Sequence, residues 1–216
     1  MKLFIPYNHI TFGPPMRFLL LMFLFPFAAL LGQDLVDIQE FIPTIRVENR
    51  YATPNNFTGR PLYRTPRVYV HHNVARHLAR IHRILARDCI GLVIYEGYRP
   101  PSVQRLIDRY AAVCDCPERV EEAPHYRKGL GVDVGLYYLD GLPMEFQTCY
   151  DEKCANTSRT YIDYPAHVYH NSAMLEAVMS ENGFVPCHEK WWHFDMKSWE
   201  FCPDLEVECE ELLKKG

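Results

Sequence analysis

The 216-residue sequence has no CxxC pair, no internal repeat, no low-complexity tract and no long block of like charge. The missing CxxC argues against a zinc site built from four cysteines, although eight cysteines are present. Without a repeat there is no signature of a solenoid or propeller. Charge of one sign is also lacking: 23 basic side chains stand against 27 acidic ones, a formal net charge of −4. That balance gives no electrostatic reason to expect nucleic acid as a partner. What remains is ordinary globular composition, 48% hydrophobic and 23% charged, at a length that suits one domain with a sizeable core.

Long apolar runs are scarce too. The longest, FLLLMFLFPFAALL from Phe18 to Leu31, has fourteen residues. A membrane-spanning helix needs about 20, and Pro26 weakens this one further. With Arg17 before it and Gly32 after it, the run reads as a secretory leader, for which Met16 is an alternative start. The expected organisation is a leader over 1–32 and one domain over 33–216. The domain would be exported, periplasmic or secreted, with no stable membrane insertion once the leader is cleaved. The cysteines all follow the leader: Cys89, Cys114, Cys116, Cys149, Cys154, Cys187, Cys202 and Cys209. An even count in an exported chain suggests disulfides, with the pairing left open.

The apolar pattern mixes helices and strands. IRVENRYA reads as a strand, and TPNNFTGRPLY as an ordered loop. Val74, Leu78, Ile81 and Leu85 form one stripe of a helix over Val74–Asp88 whose opposite face is basic. GLVIYEGYRP is a buried strand stopped by Gly97 and Pro100. Ser102 can cap the next helix. GLGVDVGLYYL is a strand, Asn171 to Asn182 a helix capped by Asn171 and stopped by Gly183, and KWWHFDM a last core strand. No regular βαβ alternation appears. The fold class is therefore α+β: a single compact domain with a central, mostly antiparallel sheet flanked by helices.

Three residues can carry a metal on that sheet. His125 precedes the GLGVDV strand, Asp133 lies within it, and His193 lies in the last strand. Two imidazoles and a carboxylate suit a catalytic Zn2+, one per chain, with a fourth position left open. Such an ion lowers the pKa of water and polarises a carbonyl. Glu189 can act as general base, and Arg99, stiffened by Pro100 and Pro101, can either stabilise an oxyanion or pair with an acid to hold its loop. HEKWWH is not the helical zincin motif, because His188 and His193 are five apart rather than four, so His188 reads as structural or exposed.

RYATPNNFTGRPLY, EGYRPPSVQ, PHYRKGLGVDVGL and EKWWHFD, with TCYDEK as a weaker fifth segment, resemble the D-alanyl-D-alanine dipeptidase family of zinc peptidases, which is related to D,D-carboxypeptidases. The resemblance runs from about Arg50 to Asp195 in the family's order. It implies hydrolysis of the D-Ala-D-Ala dipeptide or a related peptidoglycan fragment. The implied zinc ligands are His125, Asp133 and His193, with Glu189 as base, Arg99 as transition-state stabiliser and Asp151 holding the substrate's amine. Two alternatives accompany it: a D,D-carboxypeptidase acting on longer stem peptides, and a zinc-containing peptidoglycan binder without catalysis. The sequence departs from the family pattern at two ligand-bearing places. The family's first His stands seven residues before the Asp, where this chain has Tyr126, and its Glu three before the last His, where this chain has Lys190. One inserted residue at each place restores His125 and Glu189 to those roles. In the last strand such a slip needs a bulge to keep the side chain on the same face. Ala123 stands where the family often has a Ser near the substrate.

Overall fold

β4 (Ile90–Glu96) and β5 (Gly131–Tyr138) are the longest strands, and they pair antiparallel at the centre of a five-stranded sheet. A computed structural model describes residues 35–113, 124–152, 154–197 and 202–214 of the chain. The expected leader, Ala123, Cys114 and Cys116 lie outside the described residues. The sheet runs β2 (Arg46–Val47), β4, β5, β7 (His193–Met196) and β6 (Phe184–Pro186). Only the β2–β4 pair is parallel. A separate antiparallel pair joins β1 (Leu35–Asp37) to β3 (Tyr69–His71), and a single turn of helix, α1 (Ile38–Phe41), follows β1.

Helices cover the sheet because their apolar stripes have nowhere else to go. In α2 (His72–Leu85) the expected residues Val74, Leu78, Ile81 and Leu85 are buried, and the helix packs on β4. In α5 (Ala166–Glu181), Leu175, Val178 and Met179 enter the same core, against β5 and β6. β4 is buried on both faces, so it reads as a continuous apolar run rather than an alternation. The α+β class and the single domain agree with the sequence pattern. Among the described residues no helix is long and apolar enough to cross a membrane. Cys89, Cys149, Cys154, Cys187 and Cys202 are free thiols.

Local boundaries differ from the pattern in informative ways. IRVENRYA gives only the two residues of β2 before the chain turns into a short 3-10 helix at Arg50–Ala52. α3 (Pro101–Val113) starts one residue before the expected cap, since Pro is pre-organised for the first helical position. Ser102 instead bonds the Glu208 carboxylate. α5 starts at Ala166, and Asn171 is buried inside it, donating to the Glu145 carbonyl 2.9 Å away. Gly183 does stop that helix, at φ +98°. His125 lies in a short helix, α4 (Pro124–Arg127), rather than a loop. The last described helix is α6 (Cys209–Leu213). KWWHFDM is strand only from His193 onward, so Lys190, Trp191 and Trp192 are not bound to strand alternation.

Gly97 ties this scaffold to the loop that carries Arg99. A Cβ there would lie 2.6 Å from the Tyr69 carbonyl oxygen and 2.7 Å from Val70 Cγ1, atoms of a strand that cannot give way cheaply. Gly97→Ala should therefore destabilise the protein by about 1–3 kcal/mol in urea denaturation. Unchanged stability would show that the close approach is not maintained in solution.

Candidate active site

Register brings the chemistry into one row. β4 carries a shift between Ile94 and Glu96, and beyond it Glu96 pairs with Asp133, which in turn pairs with His193. A bulge of this kind re-aims a side chain at the end of a ladder. Two carboxylates directly opposite one another repel, so each needs its own compensation. Glu96, 1% exposed, takes Nε and Nη2 of Arg99 in a two-pronged pair at 2.8 and 2.7 Å. Arg99 also donates to Gln104 and stands 4.3 Å over the Tyr126 ring. Burial would lower the guanidinium's pKa, but Glu96 raises it well above the usual value, so Arg99 stays charged.

Asp133 is compensated differently. Its Oδ1 accepts from the Tyr126 hydroxyl at 2.7 Å and lies 2.7 Å from His193 Nδ1. Its Oδ2 accepts from the Tyr150 hydroxyl at 2.9 Å. Burial pushes the carboxyl pKa up, yet hydrogen bonding and charge from His193, the Tyr126 hydroxyl and the Lys190 ammonium bring it below the ordinary value. The Tyr126 hydroxyl is also 2.9 Å from His193 Nδ1, so the phenol flanks the directly bonded carboxylate–imidazole pair.

The far edge of the His193 ring faces other donors. Nε2 lies 3.2 Å from Asp195 Oδ1, and His125 Nδ1 lies 3.4 Å from the same oxygen. One ligand atom from each of His125, His193 and Asp195 falls within 4.8 Å of the others, a group able to hold a metal ion. Gly131 opposes Asp195 across the strands, and a Cβ there would come within 3.1 Å of Asp195 Oδ1, His125 Cβ and His193 Cε1. The glycine thus keeps open the space where these three meet. The residues present fit a divalent ion, but the carboxylate that joins the two imidazoles is Asp195. Asp133, expected as third ligand, has its oxygens bonded to two tyrosine hydroxyls and the imidazole.

A pocket opens on the Asp133 side. Its walls include Tyr51, Phe57, Glu96, Arg99, Tyr126, Asp133, Asp151, Lys190 and Trp192. Asp151 reaches it from a left-handed backbone conformation, φ +61°, which Asp tolerates better than most residues, and accepts from the Tyr51 hydroxyl at 3.0 Å. Phe57 comes from the NNFTG loop, which Asn56 ties down through bonds to the carbonyls of Thr53 and Arg60. Arg99 and Asp151 therefore both line this pocket.

Glu189 does not line this pocket. It is exposed, and its carboxylate, lowered in pKa chiefly by the Cys187 thiol, accepts from that thiol at 3.2 Å. Lys190 lines the pocket in its place. The turn is fixed from elsewhere: Thr157 bonds the Glu189 carbonyl, and Arg159 bonds those of Cys187 and Trp191. These bonds span some 30 residues of sequence and leave no local signal. Asp195 had one, since WWHFD places it two residues after His193 on the same strand face. Glu96 was equally visible in EGYR, three residues before Arg99.

Residues 32–204 match a family profile described as D-ala-D-ala dipeptidase. The chain is thus a hydrolytic enzyme of the peptidase class. It belongs to the D-ala-D-ala dipeptidase family, whose members are metal-dependent. A D-alanyl-D-alanine dipeptidase of Escherichia coli strain K12 is 27% identical over 166 residues, covering 76% of this chain and 84% of its own length. One from Enterococcus faecium is 23% identical over 183 residues, covering 74% and 90%. One from Streptomyces coelicolor is 26% identical over 188 residues, covering 76% and 92%.

The buried imidazole sets a pH dependence. Burial works against the charged ring, but hydrogen bonds and charge from Asp133 and Asp195 outweigh it and hold His193 at about 9, above its usual 6.5. A proton held more tightly by the folded chain than by the unfolded one stabilises fully below pH 6.5 and ceases to do so as pH rises toward about 9. Metal-free protein should therefore lose melting temperature between pH 7 and about 9, and His193→Gln should lack that decline. The same decline in the variant would remove His193 as its source.

Proposed function

We propose that this protein binds a short peptide with a D-Ala-D-Ala unit, the free dipeptide foremost, and hydrolyses its peptide bond in a zinc-dependent reaction. The observation that carries this reading is the pocket in which Asp151, Arg99 and Lys190 converge on the Asp133–Tyr126–His193 cluster. A free dipeptide is a zwitterion and needs one partner of each sign. Asp151 receives its ammonium and Lys190 its carboxylate. Arg99, fixed by Glu96 and Gln104, presents a charged, pre-oriented guanidinium where negative charge develops on the carbonyl oxygen. Trp192 and Phe57 line the walls and displace water from around the small alanine side chains. His125 and His193 hold the zinc, which when bound acts as a Lewis acid and lowers the pKa of water. Asp133 and Tyr126 line the pocket and bond the His193 ring, which links the pocket to the metal donors.

The test is release of free D-alanine from D-Ala-D-Ala by the purified protein, with L-Ala-L-Ala and a D-Ala-D-Ala-terminated pentapeptide as comparators. Turnover of the dipeptide should be abolished by chelation and restored by zinc. Asp151→Asn should raise KM about tenfold or more while changing kcat less, as expected when an ammonium partner is removed. Faster cleavage of the pentapeptide would favour a D,D-carboxypeptidase.

One observation favours a second reading, peptide capture without cleavage. Lys190 occupies the pocket in the position of the family's Glu, and a protonated amine cannot accept a proton from water. This reading predicts dipeptide binding by calorimetry with no alanine released at full zinc loading. Because Glu189 is exposed, Glu189→Ala should leave dipeptide binding unchanged under either reading.

A further inference from the structure

We propose that the metal ion sits on the Nε2 side of His193, held by His125, His193 and Asp195, and that the Tyr126 hydroxyl fills the Nδ1 side, where Asp133 and His193 would otherwise share an ion. The proposal deepens the zinc-dependent reading above by assigning the ligands, and it rests on that reading only in its choice of metal.

Ligand spacing separates the two sides. Zinc bonds to nitrogen and carboxylate oxygen are about 2.0–2.2 Å long, and tetrahedral angles then place neighbouring donor atoms about 3.3–3.5 Å apart. On the Nε2 side the separations are 3.2 Å from His193 to Asp195 and 3.4 Å from His125 to Asp195, close to that requirement, and the two imidazoles offer nitrogens within 4.8 Å of each other. On the Nδ1 side the separation between His193 and Asp133 Oδ1 is 2.7 Å, a hydrogen-bond distance too short for two ligands of one tetrahedral ion. The Tyr126 oxygen stands 2.7 Å from the one and 2.9 Å from the other, in the place an ion would need.

Hydrogen-bond direction agrees. The Tyr126 hydroxyl donates to Asp133, so the carboxylate is also the acceptor for His193 Nδ1–H. With Nδ1–H held by Asp133, the proton that a metal ion displaces is the one on Nε2, the nitrogen directed away from Asp133 and toward Asp195. A ligating imidazole commonly donates its other N–H to a carboxylate, which orients the ring and raises its basicity. Asp133 supplies that support here, and Tyr150 holds its second oxygen. Gly131 supplies the room, because a side chain there would press on all three ligands. The extra residue that sets His125 eight positions before Asp133 thus moves the ligand to the other edge of the His193 ring, where the i+2 acid of the same strand completes the set.

The experiment is metal binding by the full chain, followed without substrate. Zinc and cobalt(II) affinities are measured for the wild type, His125→Gln, Asp195→Asn, Asp133→Asn and Tyr126→Phe, with circular dichroism confirming that each is folded. Loss of a ligand at His125 or Asp195 should weaken binding more than about 100-fold, whereas loss of support at Asp133 should cost about 10-fold. Tyr126→Phe should stay within a few-fold of wild type. Long-range nitrogen NMR of zinc-loaded wild type, which needs no variant to fold, should show His193 metallated at Nε2 and protonated at Nδ1. Metallation at Nδ1, an Asp195→Asn protein that binds as wild type, or the absence of stoichiometric zinc would each overturn the assignment. Peptide hydrolysis is judged by its own assay, so a failure there with Nε2 metallation intact would count against the function and leave the ligand assignment standing.

Discussion

The buried carboxylate of Asp133 is the constraint on which the site depends. It sits on the central strand β5 opposite another acid, Glu96, on β4, and an isolated carboxylate so deeply buried would be strongly disfavoured. Four groups make it tolerable: the hydroxyls of Tyr126 and Tyr150, the His193 imidazole and the nearby Lys190 charge. Each brings a different element with it. Tyr126 positions α4, Tyr150 leads directly into the Asp151 turn, and His193 opens β7. Glu96 is neutralised separately by Arg99, which fixes the loop entering α3. Satisfying two acids therefore organises nearly every wall of the pocket.

The same bonds decide what the site offers a ligand. Because Asp133 consumes Nδ1 of His193, the ring's second nitrogen is left for the His125–Asp195 side. Because Arg99 is locked by Glu96 and Gln104, it presents a fixed charge rather than a mobile one. Family membership indicates a metal-dependent peptidase, and His125, His193 and Asp195 can serve a metal.

Much of this was legible in the sequence, for physical reasons. The stripe of α2 and the apolar run of β4 follow directly from burial, and EGYRPP and NNFTG mark the loops that carry Arg99 and Phe57. His125, His193, Arg99 and Asp151 could be singled out by residue type and motif. Other features depend on contacts that no local pattern encodes. Whether Glu189 or Lys190 enters the pocket is set by Thr157 and Arg159, about 30 residues away, holding a turn that resembled strand. The bond between Asp133 and a phenol seven positions earlier depends on α4 folding back over β5. The Asn171 side chain suits a helix cap, whereas tertiary burial uses it inside α5 to bond the Glu145 carbonyl.

The central claim is the location of the ion, and anomalous diffraction at the zinc edge from crystals grown with zinc addresses it most directly. The account predicts one strong peak about 2.0–2.2 Å from His193 Nε2, shared with His125 and Asp195, with the Tyr126 hydroxyl still bonded to Asp133 beside His193 Nδ1. A peak on Nδ1, with Tyr126 displaced and Asp133 as ligand, would contradict it.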